Sequence, residues 1–272
     1  MKLFGVDFTS APSRRKAITI AGGIWEQEVL QVQELHRLTD FGSFEQWLRQ
    51  DGPWLAGFDL PFSLPRELVQ TLAWPLQWAA LMRHLQTVPR AELRAQCKAF
   101  CDARPAGQKF AHRQTDRPAG SSPSMKWVNP PVAYMLHAGA PRLLQAGVSI
   151  PGMVTGDPQR IAVEAYPGMV ARSVTKNSYK SDDPAKHTIA RRDARMQIIA
   201  ALEAGTTPWR IRVDCSAVRE SLIEDGSADL LDAVLCQMLA AWSWQRREQQ
   251  FGMPLFDPLE GWIAGCDVLM PA

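Results

Sequence analysis

The sequence predicts an α/β fold built on a mixed sheet flanked by helices, and three observations predict it. Two short segments, Gly5-Val6-Asp7-Phe8 and Gly57-Phe58-Asp59-Leu60, each follow an apolar run and put an acid where a strand ends. The first 59 residues read as strand, strand, strand, helix, strand, a meander joined to a crossover. A long helix, Ser227 to Arg246, lies near the end of the chain.

The elements follow in order. Lys2 to Phe8 is a buried strand, and the polar stretch Thr9 to Lys16 turns the chain. Ala17 to Ala21 is a second strand, with Gly22-Gly23 as a hairpin signal. The third strand alternates Leu30 and Val32 with Gln31 and Gln33. Ser43 to Gln50 is a short helix with Ser43 as N-cap, carrying Phe44, Trp47 and Leu48 on one face. Trp54 to Asp59 is the fourth strand. Pro65 to Cys101 is helical, interrupted at Pro75 and Pro89.

Arg104 to Pro131 has no clear periodicity; it holds Arg104, Lys109, Arg113, Arg117 and Lys126 against Asp116. Val132 to Gln145 returns to helix, and Ile161 to Ala165 is a short strand running into Glu164-Ala165-Tyr166-Pro167-Gly168. A second basic stretch carries Arg172, Lys176, Lys180, Lys186, Arg191, Arg192 and Arg195. No flexible linker divides the chain, so residues 1–272 are expected to form one domain, with 65–151 as a mainly helical insertion after the fourth strand.

Composition narrows the function classes. Hydrophobic residues make up 46% and charged residues 21%, ordinary for a globular protein. A formal net charge of +2 means that any nucleic-acid footprint is local. The five cysteines are odd in number and contain no CxxC, which favours unpaired buried thiols over a zinc site. Cys97 and Cys101 stand one helical turn apart, too little to argue for zinc. The chain enters its first strand at once, without a signal-peptide apolar core, and no apolar run is long enough to cross a bilayer. These readings predict a cytoplasmic protein without a membrane partner; its oligomeric state is left open.

Four acids stand out: Asp7, Asp59, Glu164 and Asp232. Side chains alternate along a strand, so Gly5 shares a face with Asp7 and Gly57 with Asp59. A glycine at that spacing is expected to leave open space beneath the carboxylate. Asp232 falls on the apolar stripe of the last helix with Ala228, Leu235 and Cys236. Asp229 is less telling, because the first turn of a helix favours acids. Converging carboxylates repel one another unless cations neutralise them, and hard oxygen ligands suit Mg²⁺ or Mn²⁺. Two such ions about 4 Å apart would activate water and stabilise the leaving oxygen of a phosphodiester.

Plainer readings stand beside this one. Asp7 and Asp59 each fit a turn, Glu164 fits a partner for a core arginine, and Asp232 fits an ordinary ion pair. His112 fits a surface histidine as well as a phosphate contact. No P-loop, dinucleotide fingerprint, nucleophile elbow or zincin motif is present.

The chain resembles the family termed domain of unknown function 429, described as predicted nucleases with an RNase H-like fold. The segments that carry the resemblance include Gly5-Val6-Asp7-Phe8-Thr9-Ser10-Ala11-Pro12, Gly57-Phe58-Asp59-Leu60-Pro61-Phe62, Arg113-Gln114-Thr115-Asp116 and Trp127-Val128-Asn129-Pro130-Pro131. Glu164-Ala165-Tyr166-Pro167-Gly168, Ser178-Tyr179-Lys180-Ser181-Asp182 and Leu231-Asp232-Ala233 complete them. The resemblance implies a mixed five-stranded sheet whose first three strands are antiparallel. It places Asp7 and Asp59 on neighbouring strands, Glu164 after the fifth, and Asp232 on the helix covering the sheet.

The resulting expectation is a Mg²⁺- or Mn²⁺-dependent nuclease acting on DNA or RNA. Asp7, Asp59, Glu164 and Asp232 are its expected metal ligands and catalytic acids, and Lys126, Lys180, Arg191 and Arg192 its phosphate contacts. The rival readings are an ATP-binding phosphotransferase or ATPase of the same superfamily, and a non-catalytic nucleic-acid-binding module.

Overall fold

A computed structural model describes residues 1–269. The chain opens with β1 (Lys2–Asp7), β2 (Ile18–Glu26) and β3 (Val29–Leu38), an antiparallel meander. Then come α1 (Phe41–Leu48) and β4 (Trp54–Asp59), which returns parallel to β1. Between β4 and β6 lie α2 (Arg66–Thr71), α3 (Trp78–Thr87), α4 (Arg90–Asp102), α5 (Asp116–Ala119), α6 (Val132–Ala146) and the two-residue β5 (Val148–Ser149). β6 (Asp157–Glu164) leads into α7 (Pro167–Val174), α8 (Ile189–Ala204), β7 (Arg212–Asp214), α9 (Arg219–Glu224) and α10 (Asp229–Gln245).

The sheet has seven strands in the order β5-β6-β4-β1-β2-β3-β7, two more than expected. The additions are the outermost strands, of two and three residues. Segments that short carry no readable alternation, which is why the sequence does not announce them. Four of the six strand pairings are parallel.

Two apolar layers enclose the sheet. Phe4, Val6, Ile18, Ile20, Trp54, Ala56 and Phe58 face α1 and the helices between β4 and β6, meeting Phe44 of α1, Leu81 of α3 and Leu136 of α6. Leu3, Ala21, Leu55 and Val163 face α10 and its neighbours α7 to α9. β1 and β4 are covered on both sides, so they read as near-continuous apolar runs. α10 is buried along nearly its whole length, which explains why its polar residues are few. Six of the ten tryptophans are buried in these layers, and the other four pack against them.

Two local expectations change. Gly22-Gly23 lies inside β2 at a bulge, not at a turn. A Cβ on Gly23 would stand 1.9 Å from the Gln31 carbonyl oxygen, so close strand approach explains the glycine. The hairpin instead turns at Gln27 and Glu28, both at positive φ. The first helix is capped by Asp40, whose carboxylate accepts the Ser43 amide at 2.8 Å; Ser43 is already inside the helix. All five cysteines are buried and unpaired. Among the described residues, no helix is long and apolar enough to cross a membrane.

Candidate metal centre

The site forms at the carboxyl ends of β1 and β4. These strands are parallel and in register, with Gly5 opposite Gly57 and Asp7 opposite Asp59. The two aspartates therefore leave the sheet side by side on one face. The chain departs from β1 toward β2 on one side, and from β4 toward β6 on the other. Open α/β sheets bind ligands outside such a divergence.

The glycines have a different purpose from the one the sequence implied. A Cβ on Gly5 would stand 1.9 Å from the Ala233 carbonyl oxygen and 2.2 Å from the Gln237 amide nitrogen. A Cβ on Gly57 would stand 2.4 Å from the Cys236 carbonyl oxygen. The space beneath the carboxylates is filled by the backbone of α10. Only side-chain-free strand positions let the helix approach this closely, and that approach sets Asp232 and Asp229 over Asp7.

Among the described residues, the carboxylates of Asp7 and Asp59 have no hydrogen-bond or ion-pair partner. Asp7 is only 8% exposed, whereas Asp59 keeps partial solvent access. Burial first, then repulsion by Asp232, Asp229 and Asp59, holds the Asp7 carboxyl well above the usual range. Burial lifts Asp59 from 3.8 to about 7; Lys180 opposes the rise, and Asp232 and Glu164 add to it. Directly across from Asp7 on β2, and on the same face, stands Thr19. Its hydroxyl is buried and has no partner.

The acids on α10 are already engaged. Asp232, 1% exposed, accepts from the Tyr179 hydroxyl at 2.7 Å and from the Lys180 ammonium at 2.5 Å. Asp229 accepts from Lys16 at 2.7 Å, and Lys16 also reaches Asp182 at 2.8 Å. Buried Arg195 donates to the carbonyls of Tyr179 and Ile223 and so anchors the segment that carries Lys180.

Glu164 lies elsewhere. In register it faces Phe58, and it alternates with Val163 and Ala165, which face α10. Its side chain therefore points to the opposite face of the sheet from Asp7 and Asp59. There Arg113 grips it through two nitrogens at 2.6 and 2.7 Å, and the Phe62 amide donates at 3.0 Å. Arg113 also binds Asp116 at 2.9 Å, and all three side chains are buried. Burial pushes the Glu164 carboxyl up, against the pull of Arg113. Glu164 is thus the partner of a core arginine, at the same end of the sheet but behind the aspartates.

Of the four cations expected to meet phosphate, the structure brings Lys180 to the acids. Lys126 donates to the Asn129 carbonyl, Arg191 to Ser178 and Lys186, and Arg192 to Glu224. Sequence reasoning missed Lys16, Thr19 and Tyr179, and set Asp229 aside. No local pattern marks the first three, because Lys16 and Thr19 come from the stretch entering β2 and Tyr179 from the distant segment between α7 and α8.

Among the described residues, no three acidic, histidine or cysteine side chains converge closely enough to hold a metal ion. What is present is a pair of unpartnered carboxylates beside an orphaned hydroxyl. Mg²⁺ is commonly held by one or two carboxylates while keeping several waters, so this donor set fits such an ion.

The family described as "Protein of unknown function (DUF429)" matches residues 5–252, most of the chain. This chain belongs to the DUF429 family. Matching residues run from Gly5, two positions before Asp7, to beyond the end of α10, so both halves of the acidic cluster lie within the DUF429 region. No curated protein and no solved structure gives a significant match.

Proposed function

We propose that this DUF429 chain is a divalent-metal-dependent nuclease that hydrolyses phosphodiester bonds in DNA or RNA, on an RNase H-like core. One observation carries the reading: Asp7 and Asp59 end adjacent parallel strands in register, with no counter-charge bonded to either carboxylate. Two like charges so placed are costly unless protonated or bridged by a cation. The strand order β3-β2-β1-β4-β6, with its antiparallel meander and parallel β1-β4 pair, supports the RNase H-like part of the proposal.

Asp7 and Asp59 would hold Mg²⁺ or Mn²⁺. Bound there, the ion would supply a nucleophile at neutral pH and stabilise charge on a phosphate oxygen. The chain's own residues prepare the site. Burial and the neighbouring acids hold the Asp7 carboxyl well above the usual range, a cost that a cation held there would offset. Tyr179 and Lys180 fix the two oxygens of the Asp232 carboxylate, so its charge bears on Asp7 and Asp59 from a set position. Lys180, 47% exposed at its side chain, presents a positive group to an incoming phosphodiester.

The test combines calorimetric titration of Mn²⁺ with cleavage of structured DNA and RNA, for wild type and Asp7→Asn. Wild type binds Mn²⁺ and cleaves, and the variant loses both. Cleavage that survives Asp7→Asn would remove Asp7 from the chemistry.

A further inference from the structure

Building on the metal-dependent reading, we infer that the site takes a single divalent cation, held by Asp7 and Asp59, and that the Lys180 ammonium stands in the place of a second. Lys180 Nζ lies 2.5 Å from Asp232 Oδ2, the carboxylate that a second ion would have to recruit. Lys16 Nζ lies 2.7 Å from Asp229 Oδ1, the remaining acid of the cluster. The lysines thus occupy the two carboxylates on the helix and leave free the two on the sheet.

Charge leads to the same count. Apart from Asp182, which is 80% exposed and screened by water, Asp7, Asp59, Asp229 and Asp232 face Lys16 and Lys180, so with every group ionised two negative charges remain, the amount one divalent ion neutralises. A second ion would leave a buried cluster with excess positive charge, which low-dielectric surroundings disfavour. Thr19, opposite Asp7 in register, adds a hydroxyl without a hydrogen-bond partner. It is fully buried on the face of Asp7, where a water on the bound ion would satisfy it.

Lys180 is also built to stay. Its neighbour Tyr179 donates to the other oxygen of Asp232, and the Tyr179 carbonyl accepts from buried Arg195. A side chain mounted this way is a fixed cation, not a counter-ion borrowed from a mobile surface. Its exposed flank lets the same ammonium contact a non-bridging phosphate oxygen of the substrate, the contact a second metal ion would otherwise make.

The experiment counts Mn²⁺ ions bound to the full chain, by calorimetry and by electron paramagnetic resonance of free Mn²⁺. It uses wild type, Lys180→Met, and the double variant Lys180→Met/Asp232→Asn, which removes the Asp232 charge together with that of its partner and so guards against misfolding. Wild type binds one ion per chain, Lys180→Met binds two, and the double variant returns to one. Two ions in the wild type, or one ion in Lys180→Met with unchanged affinity, would overturn the inference while leaving the metal-dependent reading intact. No Mn²⁺ bound by any of the three would overturn both.

Discussion

Replacing Asp59 by asparagine tests the electrostatics of the cluster without reference to catalysis. The Asp59 carboxyl titrates at about 7 in the folded chain, against 3.8 ordinarily. Between those values the native state holds a proton that the unfolded chain has released. Stability of the metal-free protein therefore falls as pH rises from about 4 to about 7, and this contribution is flat above that. At about 1.4 kcal/mol per pH unit the displacement corresponds to about 4 kcal/mol. Asp59 keeps partial solvent access, and screening reduces the figure to about 2 kcal/mol.

An amide in place of the carboxyl cannot ionise, so Asp59→Asn removes this part of the slope and is about 2 kcal/mol more stable than wild type at pH 8 in EDTA. Urea unfolding at pH 4, 6 and 8 measures the effect through midpoints at constant m-value. Addition of Mn²⁺ reverses the order at pH 8, because a ligand that binds only the native wild type stabilises it alone. A variant less stable than wild type at pH 8 in EDTA would refute the reasoning. So would a wild type whose stability does not fall between pH 4 and 7.

Two further substitutions examine how the site is positioned. Gly57→Ala sets a Cβ 2.4 Å from the Cys236 carbonyl oxygen, where helix backbone has no room to yield. It costs about 3 kcal/mol or more by chemical denaturation, and it weakens Mn²⁺ binding because α10 is pushed off the strands. Arg113→Met leaves Glu164 and Asp116 buried without their common cation and costs about 3–5 kcal/mol in thermal or urea unfolding. Its Mn²⁺ stoichiometry stays at the wild-type value, since Arg113 and Glu164 lie on the far face of the sheet from Asp7. A loss of Mn²⁺ binding in a folded Arg113→Met chain would return Glu164 to the ligand set.

By itself, the sequence determined the meander, the α/β alternation and the two aspartates. Strand periodicity is local, so Lys2 to Asp7 and Trp54 to Asp59 were legible, as was the shared face of each glycine and acid. Helical periodicity likewise put Asp232 on the buried stripe of α10. Tertiary structure alone decided which of these groups meet. Glu164 looked equivalent to the aspartates because each ends a strand, yet its face depends on register against β4, which no local pattern encodes. Lys16 and Lys180 reach α10 across 213 and 52 residues of sequence, and only the folded chain shows that they neutralise its acids. The sequence read the glycines as leaving open space beneath the acids; in the structure the backbone of α10 fills that space.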